Sequence, residues 1–373
     1  MKFSCLKENL SKALSLTIGV AGKNVNLPIL GNILIKTEES KTEIIATNLE
    51  LAVIASLRSK IERPGSFTVP ARTLLDFVNL LSGDKVEIEL INNELSVKCG
   101  KSSTKIKGAS DEDYPVIPSP ENDTGFTLGV EEFKKGLNQV LPAVAKNDIR
   151  PELSGVYFGF NKEPKKLVMA TTDSYRLAEK KTSLKQGDDE KQVIVPGRTA
   201  QEISRILSLL GGEEGEKEVR LLLSDNQIVL NYDGVQLISR LVEGKYPDYI
   251  QIIPKDFKTN CEFNVSQLIK EIKAASLFTT TGVNAVSLDL NVASSSVGVS
   301  STSTQTGEYM SEITADVRGE ENSILLNHRY VLDGLANVST ETAELDLVNA
   351  DSPCVFRPKS GDDYVYIVMP IRK

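Results

Sequence analysis

Three stretches of this sequence carry nearly the same helix: VPARTLLDFVNLL at 69–81, VPGRTAQEISRILSLL at 195–210 and LNHRYVLDGLANV at 326–338. Each has arginine at its fourth position and an acidic residue four positions later. The pairs are Arg72 with Asp76, Arg198 with Glu202, and Arg329 with Asp333. Arginine before the acid is the weaker order of such a pair, which stabilises a helix by only about 0.2–0.5 kcal/mol. Helix stability alone therefore does not account for the repetition.

Other segments recur at a similar spacing, which is typical of an internal repeat. FSCLKENLSKAL at 3–14, FTLGVEEFKKGL at 126–137 and FNVSQLIKEIKAA at 263–275 each predict a short strand followed by an amphipathic helix. IIATNLELAVIA at 44–55 matches VMATTDSYRLAEK at 168–180. Alternating stretches with Asn-Asn, Asp-Asn and Asp-Gly turns lie between the helices and predict antiparallel hairpins.

Two connectors separate the repeats, GASDEDYPVIPSPENDTG at 108–125 and EGKYPDYIQIIPKDFKTN at 243–260. Each is rich in proline and charge, and each has Tyr-Pro followed by Ile-Pro. We therefore predict an α+β protein of three repeated domains, 1–120, 121–252 and 253–373. One large α+β domain with chance similarity is the alternative, and the matching offsets of three separate segments disfavour it. The predicted helices, two in each domain, are Ser4–Ala21, Pro70–Leu81, Val130–Lys146, Gly197–Leu210, Val265–Phe278 and Asn327–Val338.

Composition favours a globular protein of the cytoplasm. The chain has 373 residues, of which 40% are hydrophobic and 25% charged. It has no apolar run of the ~18 residues that a membrane span needs, and its charged N-terminus lacks the apolar core of a signal peptide. Four distant cysteines predict buried small side chains in a reducing compartment, in preference to metal ligands or a disulfide. They are Cys5, Cys99, Cys261 and Cys354.

Signals of catalysis are weak, and we expect neither an enzyme nor a bound cofactor or metal. His328 is the only histidine, so a catalytic triad or a histidine metal site would have to use it. Its place at the start of a helix favours a capping or surface role. No phosphate-binding glycine motif is present, and the glycine-rich GGEEGE at 211–216 is acidic and would repel phosphate.

The charge is unevenly divided between the predicted helices and the rest of the chain. The whole chain has a formal charge of −8, whereas the six helices together carry +4 and the remainder therefore −12. Partners respond to the local field and not to the net charge. If the helices share one surface, they could follow DNA phosphates without reading the bases.

Several motifs, in this order along the whole chain, resemble the bacterial DNA polymerase sliding clamp family, the beta subunit of the replicative polymerase. They are LPILGNILI (27–35), TVPAR (68–72), TTDSYRLA (171–178), IVPGR (194–198), LVEGKYPDY (241–249) and YVYIVMPIRK (364–373). The resemblance implies a ring-shaped head-to-tail homodimer of six domains, with helices inside and antiparallel sheets outside. It implies a processivity factor without catalytic activity, opened by an ATP-driven clamp loader. A protein–protein scaffold ring without a DNA role is the alternative.

Helix packing independently favours two chains in such a ring. Helices pack ~9–10 Å apart, so six in a circle leave a hole of roughly 8 Å once side chains are subtracted. Twelve helices leave a hole of ~25–28 Å by the same packing distances. B-DNA, roughly 20 Å across with its phosphates outermost, fits only the larger hole.

The family resemblance also implies functional residues. Expected partners are double-stranded DNA without sequence preference, a second copy of the chain, the replicative polymerase catalytic subunit, the clamp loader and other proteins with clamp-binding motifs. The implied partner-peptide pocket comprises Leu153, Thr172, Ser174, Tyr175, Arg176, Leu177, Pro247, Ile252, Tyr330, Ile367, Val368, Met369, Pro370, Ile371 and Arg372. The implied DNA contacts are Lys12, Lys23, Arg72, Lys146 and Arg198. The implied dimer interface includes Thr104, Ile106 and Leu277.

The apolar residues near the end of the chain predict a strand. YIVMP forms a strand whose apolar side chains either have no core left to fill, and so line an open groove, or belong to a buried edge strand. Methionine and branched aliphatic side chains suit a groove that accepts varied apolar anchors.

Overall fold

The computed structural model describes residues 1–22, 27–117, 124–146, 149–211, 217–361 and 363–372. Its helices are α1 (Lys7–Thr17), α2 (Ala71–Leu80), α3 (Val130–Val140), α4 (Gly197–Leu210), α5 (Val265–Ala275) and α6 (His328–Leu335). All six predicted helices are confirmed, and only α4 has the predicted bounds. The others are shorter because strand residues precede them or because the last turn changes form. After α3 and α5 the chain continues as 3-10 helix, over Leu141–Ala143 and Ser276–Phe278.

The strands follow one another along the chain, and most of those described have between five and eight residues. The first thirteen are β1 (Lys2–Leu6), β2 (Asn32–Thr37), β3 (Thr42–Thr47), β4 (Leu51–Leu57), β5 (Ser59–Arg63), β6 (Gly65–Pro70), β7 (Lys85–Ile91), β8 (Glu94–Cys99), β9 (Ser102–Lys107), β10 (Thr124–Gly129), β11 (Gly155–Phe160), β12 (Lys166–Thr172) and β13 (Arg176–Gln186). The next twelve are β14 (Lys191–Pro196), β15 (Glu218–Leu223), β16 (Gln227–Tyr232), β17 (Val235–Arg240), β18 (Thr259–Asn264), β19 (Ala285–Asn291), β20 (Ser296–Ser303), β21 (Gly307–Gly319), β22 (Asn322–Asn327), β23 (Thr342–Leu347), β24 (Cys354–Pro358) and β25 (Tyr364–Val368).

The chain divides into two compact units, and unit 1 comprises Met1–Glu131, Lys185–Gly187 and Glu202–Leu241. One of its sheets is five-stranded and antiparallel, in the order β5-β1-β7-β8-β9. A second antiparallel sheet runs β10-β15-β16-β17-β4-β3-β2-β6, so β17 of the central segment pairs with β4 of the N-terminal segment. Helix α1 packs against α2 and buries its apolar stripe, including Leu10 and Leu14.

Unit 2 comprises Glu132–Leu184, Asp188–Gln201 and Val242–Lys373. Its largest antiparallel sheet runs β14-β11-β12-β13-β25-β24-β23-β18-β21. A further antiparallel set runs β22-β19-β20-β21. Helix α5 packs against α6, and the last strand, β25, lies inside its sheet between β13 and β24.

The three-fold repeat of the sequence is confirmed in the strand pairing. Each of the three repeated helices begins directly after a strand. That strand pairs with the first strand after the preceding helix: β6 with β2, β14 with β11 and β22 with β19. The matching partners at the junctions are Asn32 with Pro70, Gly155 with Pro196 and Ala285 with Asn327. The same strand-to-helix corner is therefore built three times.

The shared arginine–acid pairs behave differently in the three helices. Arg72 and Asp76 do pair, at 3.8 Å and both exposed. The expectation that the other two acids face the arginine four residues earlier is wrong. Glu202 is buried and pairs with Arg205, whose Nη atoms donate to the carbonyls of Ser15 and Leu16 at 2.7 Å. The acid of the third helix pairs with an arginine from β13, which is described below.

The cysteines and the histidine have structural places. All four cysteines are free and buried, as predicted, and burial raises the pKa of Cys5, Cys261 and Cys354 to about 12. The prediction that His328 caps its helix or lies at the surface is wrong. Its side chain is buried, and Asn327 is the cap, with its Oδ1 accepting the N–H of Arg329 at 3.0 Å. Burial lowers the pKa of His328, so the ring is neutral at neutral pH.

In the parts of the chain that the structure describes, no helix is long and apolar enough to cross a membrane. Within the same ranges, no group of three or more His, Cys, Asp or Glu side chains is arranged to hold a metal ion.

Candidate functional site

The turn between β12 and β13 is fixed by its own side chains. Thr172 Oγ1 donates to the carbonyl of Arg176 at 2.7 Å. Asp173 Oδ1 accepts the backbone N–H groups of Tyr175 and Arg176, both at 3.0 Å, which is the Asx arrangement that favours tight turns. Ser174 has a positive φ of 76°. The turn therefore holds Tyr175 outward, where its side chain is 63% exposed.

Arg176 builds a charged platform beneath Tyr175. It is only 5% exposed, and its Nε lies 3.0 Å from Asp173 Oδ2 while its Nη1 lies 2.5 Å from Asp333 Oδ2. Its guanidinium lies 4.5 Å from the centre of the Tyr330 ring, a favourable cation–π contact. The ring of Tyr330 stacks on Tyr175 with centroids 6.5 Å apart. The two rings and the arginine therefore form one ordered surface.

The end of the chain forms the neighbouring wall. Val368 pairs with Arg176 of β13 on one side and with Cys354 of β24 on the other. Beyond the strand, the N–H of Met369 donates to the carbonyl of Tyr175 and that of Ile371 donates to the carbonyl of Leu325, both at 2.8 Å. These bonds hold the tail along the platform.

The interpretation that the apolar side chains of the last strand have no core to fill is wrong for two residues. Ile367 and Val368 are buried, because β25 is paired along both edges and its faces are covered. The alternative of a buried edge strand is also wrong, since β25 is internal. Met369, Pro370 and Ile371 are half-buried and Arg372 is exposed, so the open part of the tail begins at Met369.

A buried cluster forms the floor beneath these walls. It includes Leu153, Leu177 and Ile367 together with Tyr246 and Tyr249 of the second connector. The hydroxyl of Tyr246 accepts the N–H of Thr172 at 3.0 Å, and the hydroxyl of Tyr249 donates to Glu179 Oε2 at 2.6 Å. Burial raises the pKa of both tyrosines, so both hydroxyls stay protonated at neutral pH.

The fifteen predicted pocket residues all lie in unit 2, and they divide by exposure. The buried ones are Leu153, Thr172, Arg176, Leu177, Ile367 and Val368. Those with accessible side chains are Ser174, Tyr175, Pro247, Ile252, Tyr330, Met369, Pro370, Ile371 and Arg372. We call this surface, from the Tyr175 turn to the Met369 tail, the partner groove.

Sequence reasoning missed the groups that hold the partner groove in shape. Asp173 fixes the turn, and Asp333 anchors the buried arginine. Tyr366 contributes as well, because its hydroxyl donates to the carbonyl of Tyr330 at 2.9 Å. The sequence pattern singled out Asp333 as the acid of the third repeated helix, but it paired this acid with Arg329. In the structure its partner is Arg176.

Two of the predicted DNA contacts lie in one open groove of about 760 Å³ beside the platform. Lys146 and Arg198 line it, and Arg176 and Asp333 form part of its wall. Both Lys146 and Arg198 are exposed. The structure thus places these two cations in the same cleft of unit 2.

The remaining predicted DNA contacts are separate. Arg72 is exposed on α2, and Lys12 on α1 lies 3.5 Å from Asp233 in an exposed ion pair. Exposed pairs of this kind are weak and can exchange partners. Lys23 lies outside the described residues.

The predicted interface residues occupy two kinds of position. Thr104 and Ile106 lie on β9, an edge strand of the five-stranded sheet, where Thr104 is half-buried and Ile106 is buried against its own sheet. Leu277 lies in the 3-10 turn after α5 and is 70% exposed. Close to it in sequence, Phe278 stacks on Tyr309 with centroids 6.0 Å apart.

Comparison with known proteins gives the same family for three successive segments of the chain. Residues 1–118, 127–248 and 250–372 match, in turn, the family models of the N-terminal, central and C-terminal domains of the DNA polymerase III beta subunit. The beta sliding clamps of Staphylococcus epidermidis and Staphylococcus aureus are each 27% identical over 384 residues, covering 100% of this chain and 99% of the relative.

Solved structures agree in fold. The DNA polymerase sliding clamp of Bacillus subtilis is similar with a TM-score of 0.92 and 27% identity, covering 100% of this chain and 99% of that one. The DNA polymerase III beta subunit of Thermotoga maritima has a TM-score of 0.93 at 24% identity, with the same coverage. The fold is therefore the three-domain clamp fold, as predicted.

These matches also decide the class of protein. Sliding clamps are non-catalytic, so the prediction that the chain is not an enzyme is confirmed by its relatives, and the scaffold alternative is not favoured. With three domain models of one family matching in order from residue 1 to residue 372, the chain belongs to the bacterial DNA polymerase III beta subunits, the beta sliding clamps.

Proposed function

We propose that this protein is a processivity factor of DNA replication, which encircles duplex DNA and tethers a polymerase to it. The observation that carries the proposal is the partner groove, a surface held by side-chain hydrogen bonds and bearing accessible apolar side chains, in a chain that belongs to the sliding clamp family. The role places the protein with the chromosome, which in bacteria is in the cytoplasm. It needs no cofactor of its own, since the chemistry is done by its partners.

The partner groove suits short peptide segments with apolar anchors. Met369, Pro370 and Ile371 offer accessible apolar surface on one side, and Pro247 and Ile252 offer it on the connector. Methionine and branched side chains adapt to different anchors, while the Arg176 platform keeps the opposite wall fixed. We propose the replicative polymerase catalytic subunit, the clamp loader and other proteins with clamp-binding motifs as the partners.

We further propose a head-to-tail homodimer whose joint pairs the first domain around Thr104 and Ile106 with the third around Leu277. Edge strand β9 has backbone groups available for pairing, and Leu277 and Met310 are exposed apolar side chains that a partner would cover. We retain the domain bounds 1–120, 121–252 and 253–373 as a prediction.

The dimer is tested by mass in solution, which should be near twice 40.8 kDa. Leu277→Asp should give monomers, because the interface would bury an unpaired carboxylate. Ile106 is a poor target, because a charge at this buried position would disrupt its own sheet. Thr104→Arg is the better variant on the first-domain side of the joint. Leu80→Asp, on a leucine of α2 that is also largely exposed, is the control and should stay dimeric. Dimers with both interface variants would show that the joint is elsewhere.

DNA binding is expected to be independent of sequence and to depend on positive charge on the helices and their adjoining loops. We propose Lys12, Lys23, Arg72, Lys146 and Arg198 as contacts with phosphates. The test loads the protein onto nicked circular DNA with its clamp loader and then linearises the DNA. A ring stays on the circle and is lost from the linear molecule; equal retention on both would contradict encirclement, and failure to load would favour the scaffold.

Neutralising the four described cations to glutamine should reduce loading and flatten its salt dependence, by about 0.9 in the slope for each lost phosphate contact. A matched control removes four exposed lysines from strands instead: Lys36, Lys60, Lys98 and Lys191. Both variants lose four positive charges, so they differ only in where on the protein those charges are removed. Equal effects in both variants would show that the helices are not the DNA surface.

A further inference from the structure

Unit 1 contains a second turn with the hydrogen bonds of the Tyr175 turn. Thr47 Oγ1 donates to the carbonyl of Leu51 at 3.1 Å, as Thr172 does to Arg176. Asn48 Oδ1 accepts the N–H groups of Glu50 and Leu51 at 3.1 and 2.8 Å, in the manner of Asp173. Leu49 has a φ of 81°, where Ser174 has 76°. Residues 47–51 therefore repeat residues 172–176 position by position.

The strand beside this turn is repeated too. β17 pairs with β4 so that Ser239 faces Leu51, just as Val368 of β25 faces Arg176. The N–H of Arg240 donates to the carbonyl of Glu50 at 2.9 Å, as that of Met369 donates to the carbonyl of Tyr175 at 2.8 Å. Arg240 thus takes the place of Met369.

The first connector completes the correspondence. Tyr114 is buried, and its hydroxyl donates to the carbonyl of Ile45 at 3.3 Å. Tyr114 is followed by Pro115, as Tyr246 is followed by Pro247 on the second connector. Next come Val116, which is 91% exposed, and Ile117.

These elements enclose a groove of about 580 Å³ within unit 1. Its floor is apolar and buried, with Leu51, Ala52 and Ile238. Its walls carry apolar side chains from the turn and the connector, and Gln227, Glu50 and Arg240 line the remainder. Arg240 is exposed and makes no ion pair with any residue that the structure describes. We call this surface the second groove.

Leu49 is placed against two preferences of its residue type. A left-handed backbone costs an L-residue other than glycine roughly 1–2 kcal/mol, and the apolar side chain of Leu49 is nevertheless 49% exposed. Leu49 and Val116 line the same groove and are both exposed, so they form an apolar patch of the kind that a partner covers.

We propose that the second groove binds an extended peptide segment of a partner protein, with two apolar side chains against Leu49 and Val116 and one carboxylate on Arg240. The carboxylate is single because Glu50, on the same groove, would repel a run of acids. This inference rests on the proposed function, because it assigns a second docking surface to the same class of partners. The second groove lacks the buried arginine and the stacked tyrosines of the partner groove, so it binds more weakly.

The test measures anisotropy of the labelled peptide fluorescein-Gly-Ser-Asp-Leu-Ala-Phe-amide with the full chain, with the chain lacking Met369–Lys373, and with that deletion combined with Leu49→Asn and Val116→Asp. Deletion of the tail removes the tight phase and should leave a weaker saturable phase. The added substitutions should weaken that residual phase at least tenfold, since two apolar contacts are lost. Val283→Asp, on an exposed valine outside the second groove, is the matched control and should leave the residual phase unchanged.

The outcomes separate the two proposals. A tight phase lost on tail deletion with no residual phase overturns the second groove and leaves the partner groove standing. A residual phase that Leu49→Asn and Val116→Asp do not change also overturns it, because the peptide then binds elsewhere. A residual phase that weakens as the protein concentration is raised shows that a second copy of the chain competes for the second groove. That result overturns the proposal of a peptide partner. No saturable binding by any form overturns both grooves.

Discussion

The turns at 47–51 and 172–176 have the same backbone but present different chemistry. Threonine and Asx side chains fix both turns with the same pattern of hydrogen bonds. The two positions that follow the left-handed residue are Glu50 and Leu51 in unit 1, and Tyr175 and Arg176 in unit 2. The comparison shows that a repeated backbone scaffold can carry an arginine and tyrosine platform in one unit and a groove with an apolar floor in the other.

The difference extends to the repeated helices. In unit 2 the third-repeat acid, Asp333, reaches Arg176. In unit 1 the position of Arg176 is occupied by Leu51, and the equivalent acid, Glu202, pairs with Arg205 of its own helix. Arg205 in turn binds the last carbonyls of α1. The acid at this repeat position therefore anchors Arg176 in unit 2 and, through Arg205, contacts the end of α1 in unit 1.

The largest effect is expected from giving unit 1 the arginine of unit 2. Leu51→Arg places a cation at a buried position where Asn48 stands in place of an aspartate. We expect the free energy of unfolding to fall by about 3–5 kcal/mol, because a buried charge without a partner is costly. Urea denaturation measures the loss, with Leu51→Met as the control of similar volume. A smaller loss when Asn48→Asp is added would show that an aspartate at this turn position partners the arginine in unit 1 as well. An unchanged midpoint would show that position 51 accepts a charge without a partner.

Removal of Met369–Lys373 should have the next largest effect, on binding and not on folding. The strand β25 ends at Val368, so the deletion removes the accessible side chains that the tail contributes to the partner groove and leaves the buried strand residues in place. Polymerase peptides should lose about 2–4 kcal/mol, or roughly 30- to 1,000-fold in affinity. Calorimetry gives the affinity and sedimentation gives the mass. A product that is unfolded or monomeric would mean that the tail is structural.

Arg176→Leu, the reverse exchange, should cost less than Leu51→Arg. It leaves Asp173 and Asp333 without their cation, but Asp333 is about half exposed and water can replace the ion pair. We expect a loss of about 1–3 kcal/mol in unfolding free energy, together with weaker peptide binding. Arg72→Leu removes an exposed arginine from an exposed pair and is the control, with a change below about 0.5 kcal/mol. Equal losses of unfolding free energy in Arg176→Leu and Arg72→Leu would show that the buried arginine stabilises the fold no more than the exposed one.

Leu49→Asn should have the smallest effect and the opposite sign. Asparagine tolerates the left-handed backbone that leucine resists, so the unfolding free energy should rise by about 0.5–1 kcal/mol. Thermal unfolding of Leu49→Asn and of Ser174→Asn, at the matching position, measures how much strain each turn holds. A stability loss on Leu49→Asn would mean that the leucine side chain contributes to the core, and that strain is not held for binding.

The sequence was sufficient for the repeated parts of the fold and insufficient for the contacts between them. Helix positions follow from local periodicity, so all six were predicted, and α4 was predicted to the residue. Pairing of β17 with β4 and of β25 with β13 joins distant segments, which no local pattern reports. For the same reason the internal place of Ile367 and Val368, and the pairing of Asp333 with Arg176, could not be read from spacing alone.

The candidate site shows the same limit. The motif TTDSYRLA identified Tyr175 and Arg176 through the family resemblance, while the role of Asp173 is a local turn signal that the sequence did contain. Burial of His328 was not predictable from its place at a helix start, because tertiary packing decides whether such a residue faces water.

The most direct test of tethering through the partner groove is primer extension on a singly primed circular template, with the replicative polymerase, its clamp loader and either the intact chain or the chain without Met369–Lys373. The intact chain should give long products, and the deletion should shorten them to the length made without any clamp, although the ring remains on the circle. Long products with the deleted chain would contradict the claim that the polymerase is tethered through the partner groove.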